Sequence, residues 1–177
     1  MRPSRSRLPD VEELDRALGF AYRHLGRRDR TVAEIRGHLR ARGVSAATSA
    51  AAIEALSDQG YLDDARFAAR FAADRRALDT WGSQRIERRL LELGVAADLV
   101  AAALAALDPG DELRAAVELL ERRVPTPPQD DRARNRALGL LVRRGYELEL
   151  AHDAVRLHGR AETAADGRAR ESAGVDE

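Results

Sequence analysis

The chain has 177 residues, with 30 basic and 30 acidic side chains, and every basic residue is arginine. Cysteine is absent, which excludes a disulfide framework, a thiolate zinc site and a cysteine nucleophile, and points to the cytoplasm. A net charge of zero argues against a protein that simply coats nucleic acid, while the dominance of alanine, leucine, arginine and glutamate favours helix wherever glycine and proline do not interrupt it.

The amino terminus, MRPSRSRLPD, is charged and has no apolar stretch behind it. Nowhere does the chain approach the roughly 20 apolar residues of a membrane span, so no export and no membrane partner is expected. The first expected helix opens at Asp10, where Glu13 completes a capping signature and Leu14, Leu18, Ala21 and Leu25 keep helical spacing. Thr31 with Glu34 reads as a capping box for the second helix. That helix contains IRGHLRARGV from Ile35, with Ile35 and Leu39 one turn apart and Gly43 placed to end it in the left-handed conformation. Ser45 is the expected N-cap of a third helix carrying Ile53 and Leu56.

The segment GYLDDARFA, from Gly60 to Ala68, opens the fourth helix. Adjacent carboxylates point in different directions on a helix, so Asp63 and Asp64 are expected to cap it and complement its dipole rather than to hold a metal. Tyr61 and Leu62 are expected to pack the helix entry, and Phe67, Phe71 and Leu78 to continue its apolar spacing. Trp81 is expected to pin the loop before the fifth helix, which contains IERRLLELGV from Ile86. Leu113, Val117 and Leu120 mark the seventh helix, after which PTPPQDD from Pro125 denies helix geometry until the eighth, containing ALGLLVRRGY from Ala137. Beyond about Gly159 the apolar period ends, and a disordered tail is expected over 159–177.

Three of these segments align without a gap at an offset of 51 residues. Leu39, Leu90 and Leu141 coincide, as do Gly43, Gly94 and Gly145, and Ile53, Leu104 and Val155 follow in register. The expectation is an all-α fold of three tandem three-helix repeats, about nine helices, over 10–58, 59–108 and 110–158. A repeat of about 50 residues buries little surface alone, so stacking into an elongated, curved array is expected.

No constellation of an active site emerges. His24, His38, His152 and His158 share no ligand spacing, and a phosphate loop is excluded by the absence of lysine. No catalytic residue, metal or cofactor is therefore expected. What the repeats do not share is charge: Arg40 aligns with Leu91 and Val142, and Arg36 with Glu87. Arg27, Arg28, Arg30, Arg36 and Arg40 crowd the first repeat, Arg85, Arg88 and Arg89 the second near Trp81, and Arg70 lies in the helix between them. Guanidinium forks at such density suit phosphates or an acidic protein surface.

RRDRTVAEIRGHLRARGV from Arg27, QGYLDDARFAARFAADR from Gln59 and WGSQRIERRLLELGV from Trp81 together resemble, in order and spacing, the RecX regulatory proteins of bacteria. The third repeat fits that family in length and plan with weaker motifs, and the proline loop departs from it. The resemblance implies a modulator of recombination, DNA repair and the SOS response that lies in the groove of the RecA nucleoprotein filament, and a monomer is expected although the sequence leaves monomer versus dimer open. It implies inhibition of RecA ATPase and strand exchange, and weak, non-specific binding to single- or double-stranded DNA. The alternative is a direct DNA-binding regulator that uses the helix–Gly43 turn–helix as a reading motif, although Ser45 to Ala55 is mostly alanine and small polar residues.

Overall fold

A computed structural model describes the backbone of residues 10–173 and the side chains of residues 10–160. Among the described residues there are nine α-helices and no strand. They are α1 (Val11–Leu25), α2 (Val32–Ala41), α3 (Ala46–Asp58), α4 (Asp64–Asp79), α5 (Ser83–Glu92), α6 (Ala97–Ala105), α7 (Pro109–Arg123), α8 (Asp131–Arg143) and α9 (Leu148–Ala173). The fold is all-α with tandem three-helix domains.

The helices start and stop for reasons visible in local chemistry. Gly43, Gly94 and Gly145 sit at φ of +76°, +79° and +88°, and in each case the next residue donates its N–H back to the leucine carbonyl five residues earlier. Val44 bonds Leu39, Val95 bonds Leu90 and Tyr146 bonds Leu141, each at 3.1 Å. These are Schellman closures, which satisfy the last carbonyls of a helix and turn the chain sharply. Gly60, at φ +74°, closes α3 the same way, with Tyr61 N bonded to Leu56 O at 2.9 Å. Thr31 and Glu34 form the reciprocal capping box of α2, and Ser45 accepts from Thr48 N at 3.1 Å to cap α3. Asp10 occupies the N-cap of α1 without a side-chain cap bond, and the Glu13 carboxylate accepts from the Thr48 hydroxyl at 3.4 Å.

Packing divides the chain into two compact units that do not follow the repeat boundaries. One consists of residues up to Arg70 with Arg89–Ala103, the other of Phe71–Arg88 with the residues from Leu104 onward. Helices α4 and α5 each contribute one part to each unit. In the first unit α1, α2 and α3 pack on one another around Ala17, Ala21, Ile35, Leu39, Ala52, Ile53, Leu56 and Leu62. In the second, α7 and α8 pack on α9 around Leu119, Leu120, Leu138, Leu141, Tyr146 and Val155. Each fully buried leucine or isoleucine in these cores contributes about 1.5–3 kcal/mol of transfer free energy.

One expectation is corrected by the packing. The buried stripe of α4 is Ala68, Ala72 and Arg76, whereas Phe67 and Phe71 are half-buried at its shoulders and Leu78 is 73% exposed. Small residues at the i, i+4 positions let the helix sit close to its neighbours, and the larger rings cannot occupy that line. Helix α9 runs from Leu148 to Ala173, and alanine, arginine and glutamate favour helix by propensity over its last turns. Residues 174–177 of the expected tail lie outside the described residues.

The three aligned glycines carry different steric loads. A Cβ on Gly43 meets open space, one on Gly94 falls 2.3 Å from the Ala33 Cβ, and one on Gly145 falls 2.5 Å from the Arg85 backbone nitrogen. Gly43→Ala should lose only the left-handed penalty of about 1–2 kcal/mol. Gly94→Ala and Gly145→Ala should lose about 1–3 kcal/mol more from overpacking. Chemical denaturation of the three variants checks this ranking, and equal losses would contradict it.

Candidate partner-binding surface

The basic segment of the first repeat folds into the C-terminal end of α1, the turn that follows it, and the exposed side of α2. At its centre His24 and His38 stack face to face, with ring centroids 3.9 Å apart and planes 5° from parallel. Arg23 and Arg42 lie over the Phe20 ring at 5.2 and 5.0 Å. Burial, then the Arg30 guanidinium and the neighbouring His38, hold His24 below its ordinary value. Burial, then Arg42, Arg30, Arg23 and Arg27, do the same to His38. The imidazoles thus register a positive field from several guanidinium groups at once.

The five arginines nominated in this repeat separate into two kinds. Glu34, whose side chain belongs to the α2 capping box, pairs with Arg28 and with Arg30 at 3.2 Å. Burial raises the Glu34 carboxyl, but hydrogen bonds from Arg28, the Thr31 N–H and Arg30 outweigh it and hold the group below its ordinary range. Arg28 and Arg30 therefore support the start of α2. Arg27, Arg36 and Arg40 are exposed and form no ion pair among the described residues. Arg70, from α4, pairs with Asp29 at 2.9 Å, and both side chains are well exposed, a geometry worth little in stability.

The two adjacent aspartates also take separate roles. Asp63 accepts from Arg66 N at 2.8 Å and caps α4 as expected. Asp64 reaches across to α2 and accepts from Val32 N at 2.9 Å, so one carboxylate serves the N-terminus of a helix in the preceding repeat. Burial raises its carboxyl above the ordinary value despite that bond. Leu62 is buried, but Tyr61 is 58% exposed and meets Tyr22 edge-on at 5.3 Å, which corrects its expected place in the helix entry.

In the second compact unit Trp81 is held edge-on to Phe71 at 6.3 Å and lies under two guanidinium groups, Arg85 at 4.2 Å and Arg75 at 5.6 Å. Trp81 N donates to Arg75 O at 3.2 Å, which ties the loop to the end of α4. Arg88 is exposed and forms no ion pair among the described residues, whereas Arg89, in the first unit, pairs with Glu92 at 2.8 Å. The nominated cluster of Arg85, Arg88 and Arg89 is thus one stacked, one free and one paired side chain. Among the described residues no group of three or more His, Asp or Glu has the geometry of a metal site, and no helix is long and apolar enough to cross a membrane. Sequence reading missed the His24–His38 stack and the role of Asp64 on α2, because both depend on contacts between helices that no local spacing encodes.

Two outcomes follow. Asp64→Ala should destabilise the protein by about 1 kcal/mol through the lost cap on Val32, and Asp64→Asn by less, as measured by urea denaturation. Because both histidines titrate below 6.5 in the folded chain, the unfolded chain binds more protons as pH falls past 6.5. Stability is therefore intact above that pH and is lost progressively below it. A His24→Gln/His38→Gln variant should show a flatter fall in Tm between about pH 7.5 and 5.5, and a fall parallel to that of the parent would contradict the assignment.

Comparison with known proteins places these features. Residues 17–56 match the RecX first three-helix domain and residues 63–104 the RecX second three-helix domain. The chain is 37% identical over 150 residues to the regulatory protein RecX of Mycobacterium avium, covering 83% of this chain and 86% of that one. It is 35% identical over 142 residues to its counterpart in Xanthomonas campestris, covering 80% and 84%. The crystal structure of RecX from Lactobacillus salivarius shares the fold, with a TM-score of 0.77 at 16% identity over 84% of this chain and 98% of that one. The matched domains coincide with α1–α3 and α4–α6, and with that likeness running over four-fifths of its length, the chain belongs to the RecX family of regulatory proteins.

Proposed function

We propose that this protein is a non-enzymatic, cytoplasmic regulator of homologous recombination and DNA repair that acts as a monomer on the RecA nucleoprotein filament, inhibiting its ATPase and strand exchange. The observation that carries the proposal is its likeness to regulatory proteins named RecX across 83% of its length. The free guanidinium groups of Arg27, Arg36 and Arg40 supply the means. They are exposed and form no ion pair among the described residues, and further guanidinium groups, Arg23 and Arg42, lie beside them over Phe20. Such groups attract phosphates and carboxylates alike, and a nucleoprotein filament presents both. Inhibition needs only that the bound protein resist the conformational cycle of the filament. Any contact with DNA itself runs through its phosphates, and is therefore weak, sensitive to salt and indifferent to sequence.

For the direct DNA-reading alternative, helix α3 is a poor reading element. It exposes Ala46, Ala47, Ala50, Glu54, Ser57 and Asp58 and buries Thr48 and Ser49, so it offers none of the arginine, lysine, asparagine or glutamine side chains that make bidentate base contacts.

Since Arg28 and Arg30 also serve the α2 cap, the discriminating variant is Arg27→Glu/Arg36→Glu/Arg40→Glu, which leaves Glu34 with its partners. It should raise the concentration needed to inhibit single-stranded-DNA-dependent RecA ATPase by more than about tenfold, since each lost charge-assisted contact is worth about 1.5–3 kcal/mol. Far-ultraviolet circular dichroism should be unchanged. Inhibition at the parent's concentrations would show that this face is not used.

A further inference from the structure

In the second compact unit the end of α4, the last turn of α7 and the end of α8 enclose a cleft of about 570 Å³ lined by Thr80, Arg122, Arg123 and Arg144, with Leu119 and Asp79 beside them. The three cations have little to neutralise them. The Asp79 carboxylate is taken by Arg75. Arg122 reaches Glu118 only at 3.7 Å, with both side chains half-exposed. Arg144 reaches the Asp79 carbonyl at 3.5 Å, and Arg123 forms no ion pair among the described residues. Helix C-termini explain why arginine is tolerated at each place, but not why three meet at one cleft.

The floor of the cleft is held rigidly, and at an energetic cost. Thr80 adopts φ +49°, the one positive φ outside glycine among the described residues, and it is a β-branched residue only 2% exposed. Its carbonyl accepts from the buried Tyr146 hydroxyl at 2.8 Å, and its own hydroxyl donates to Asp79 O at 2.7 Å while accepting from Arg122 at 3.2 Å. Gly82 N donates to Arg144 O at 3.0 Å, and a Cβ on Gly82 would fall 2.2 Å from the Gly145 carbonyl. The backbones that carry Thr80 and Arg144 are thus pinned to each other. Strain of this kind persists where the surroundings over-determine it, and it collects at binding sites.

We propose that this cleft binds a phosphate group, with the guanidinium forks of Arg122, Arg123 and Arg144 on its oxygens and the Thr80 hydroxyl, which accepts from Arg122, holding that fork in place at its base. Planar forks match phosphate oxygens in pairs, and a preorganised floor lowers the ordering cost of binding. The phosphate comes either from a free nucleotide or from the end of a nucleic-acid strand. The site goes beyond the surface proposed for the RecA filament and shares no residue with it.

The test uses the full chain, with inorganic pyrophosphate as probe and thermal unfolding as readout, at ionic strength matched with chloride. Pyrophosphate should raise Tm with a saturating dose response in the parent and in Arg27→Glu/Arg36→Glu/Arg40→Glu. In Arg123→Gln/Arg144→Gln the apparent affinity should fall at least about tenfold. Thr80→Gly, which relieves the backbone, should keep the fold and still bind several-fold more weakly. Competition by a short single strand bearing a 5′-phosphate, but not by its 5′-hydroxyl form, would assign the source to strand ends; competition by a nucleoside triphosphate alone would assign it to free nucleotides. A response to pyrophosphate no larger than to chloride, or equal responses in the parent and Arg123→Gln/Arg144→Gln, would overturn the proposal whatever the result with RecA.

Discussion

Ending a helix on a glycine in the left-handed conformation fixes the direction in which the chain leaves it, and here the device recurs with one leucine carbonyl as its acceptor each time. Val44, Val95 and Tyr146 are drawn back over Leu39, Leu90 and Leu141, so the next helix begins beside the one just completed. The leucines and the residues that follow the glycines are apolar, and burial reinforces the hydrogen bonds. Two of the glycines have a second duty, since Gly94 admits Ala33 and Gly145 admits the backbone at Arg85 within van der Waals range. Turn geometry and close packing are therefore one constraint, and neither can be altered alone.

Much of this is legible in the sequence because it is local. The repeat offset, the glycine stops and the caps at Thr31 and Ser45 depend on residues a few positions apart, and local hydrogen bonding decides them. What depends on helices meeting is not legible. Leu78 has the spacing of a core residue and is exposed, because the line of closest approach on α4 runs through Ala68 and Ala72. Glu13 has the spacing of a capping box and is held by Thr48 of another helix. Asp64 reads as a cap for its own helix, and it caps α2.

The arginines show the same division in the candidate surface. Their density is plain from the sequence, but only contacts reveal that Arg28 and Arg30 are engaged with Glu34 and Arg70 with Asp29, leaving Arg27, Arg36 and Arg40 free. A pair worth little as a surface salt bridge still occupies a guanidinium fork, and so decides which cations remain for a partner. The stacked histidines matter for a related reason: burial and the arginines around them oppose their protonation, so the face gains charge less readily as pH falls.

The function proposed for this member of the RecX family places its work on the RecA filament. The most direct measurement is the rate of ATP hydrolysis by RecA on single-stranded DNA, titrated with the intact protein. The account predicts a rate that falls and saturates as protein is added, at concentrations too low for the protein to bind the same DNA without RecA. A rate that stays constant through those concentrations would contradict it.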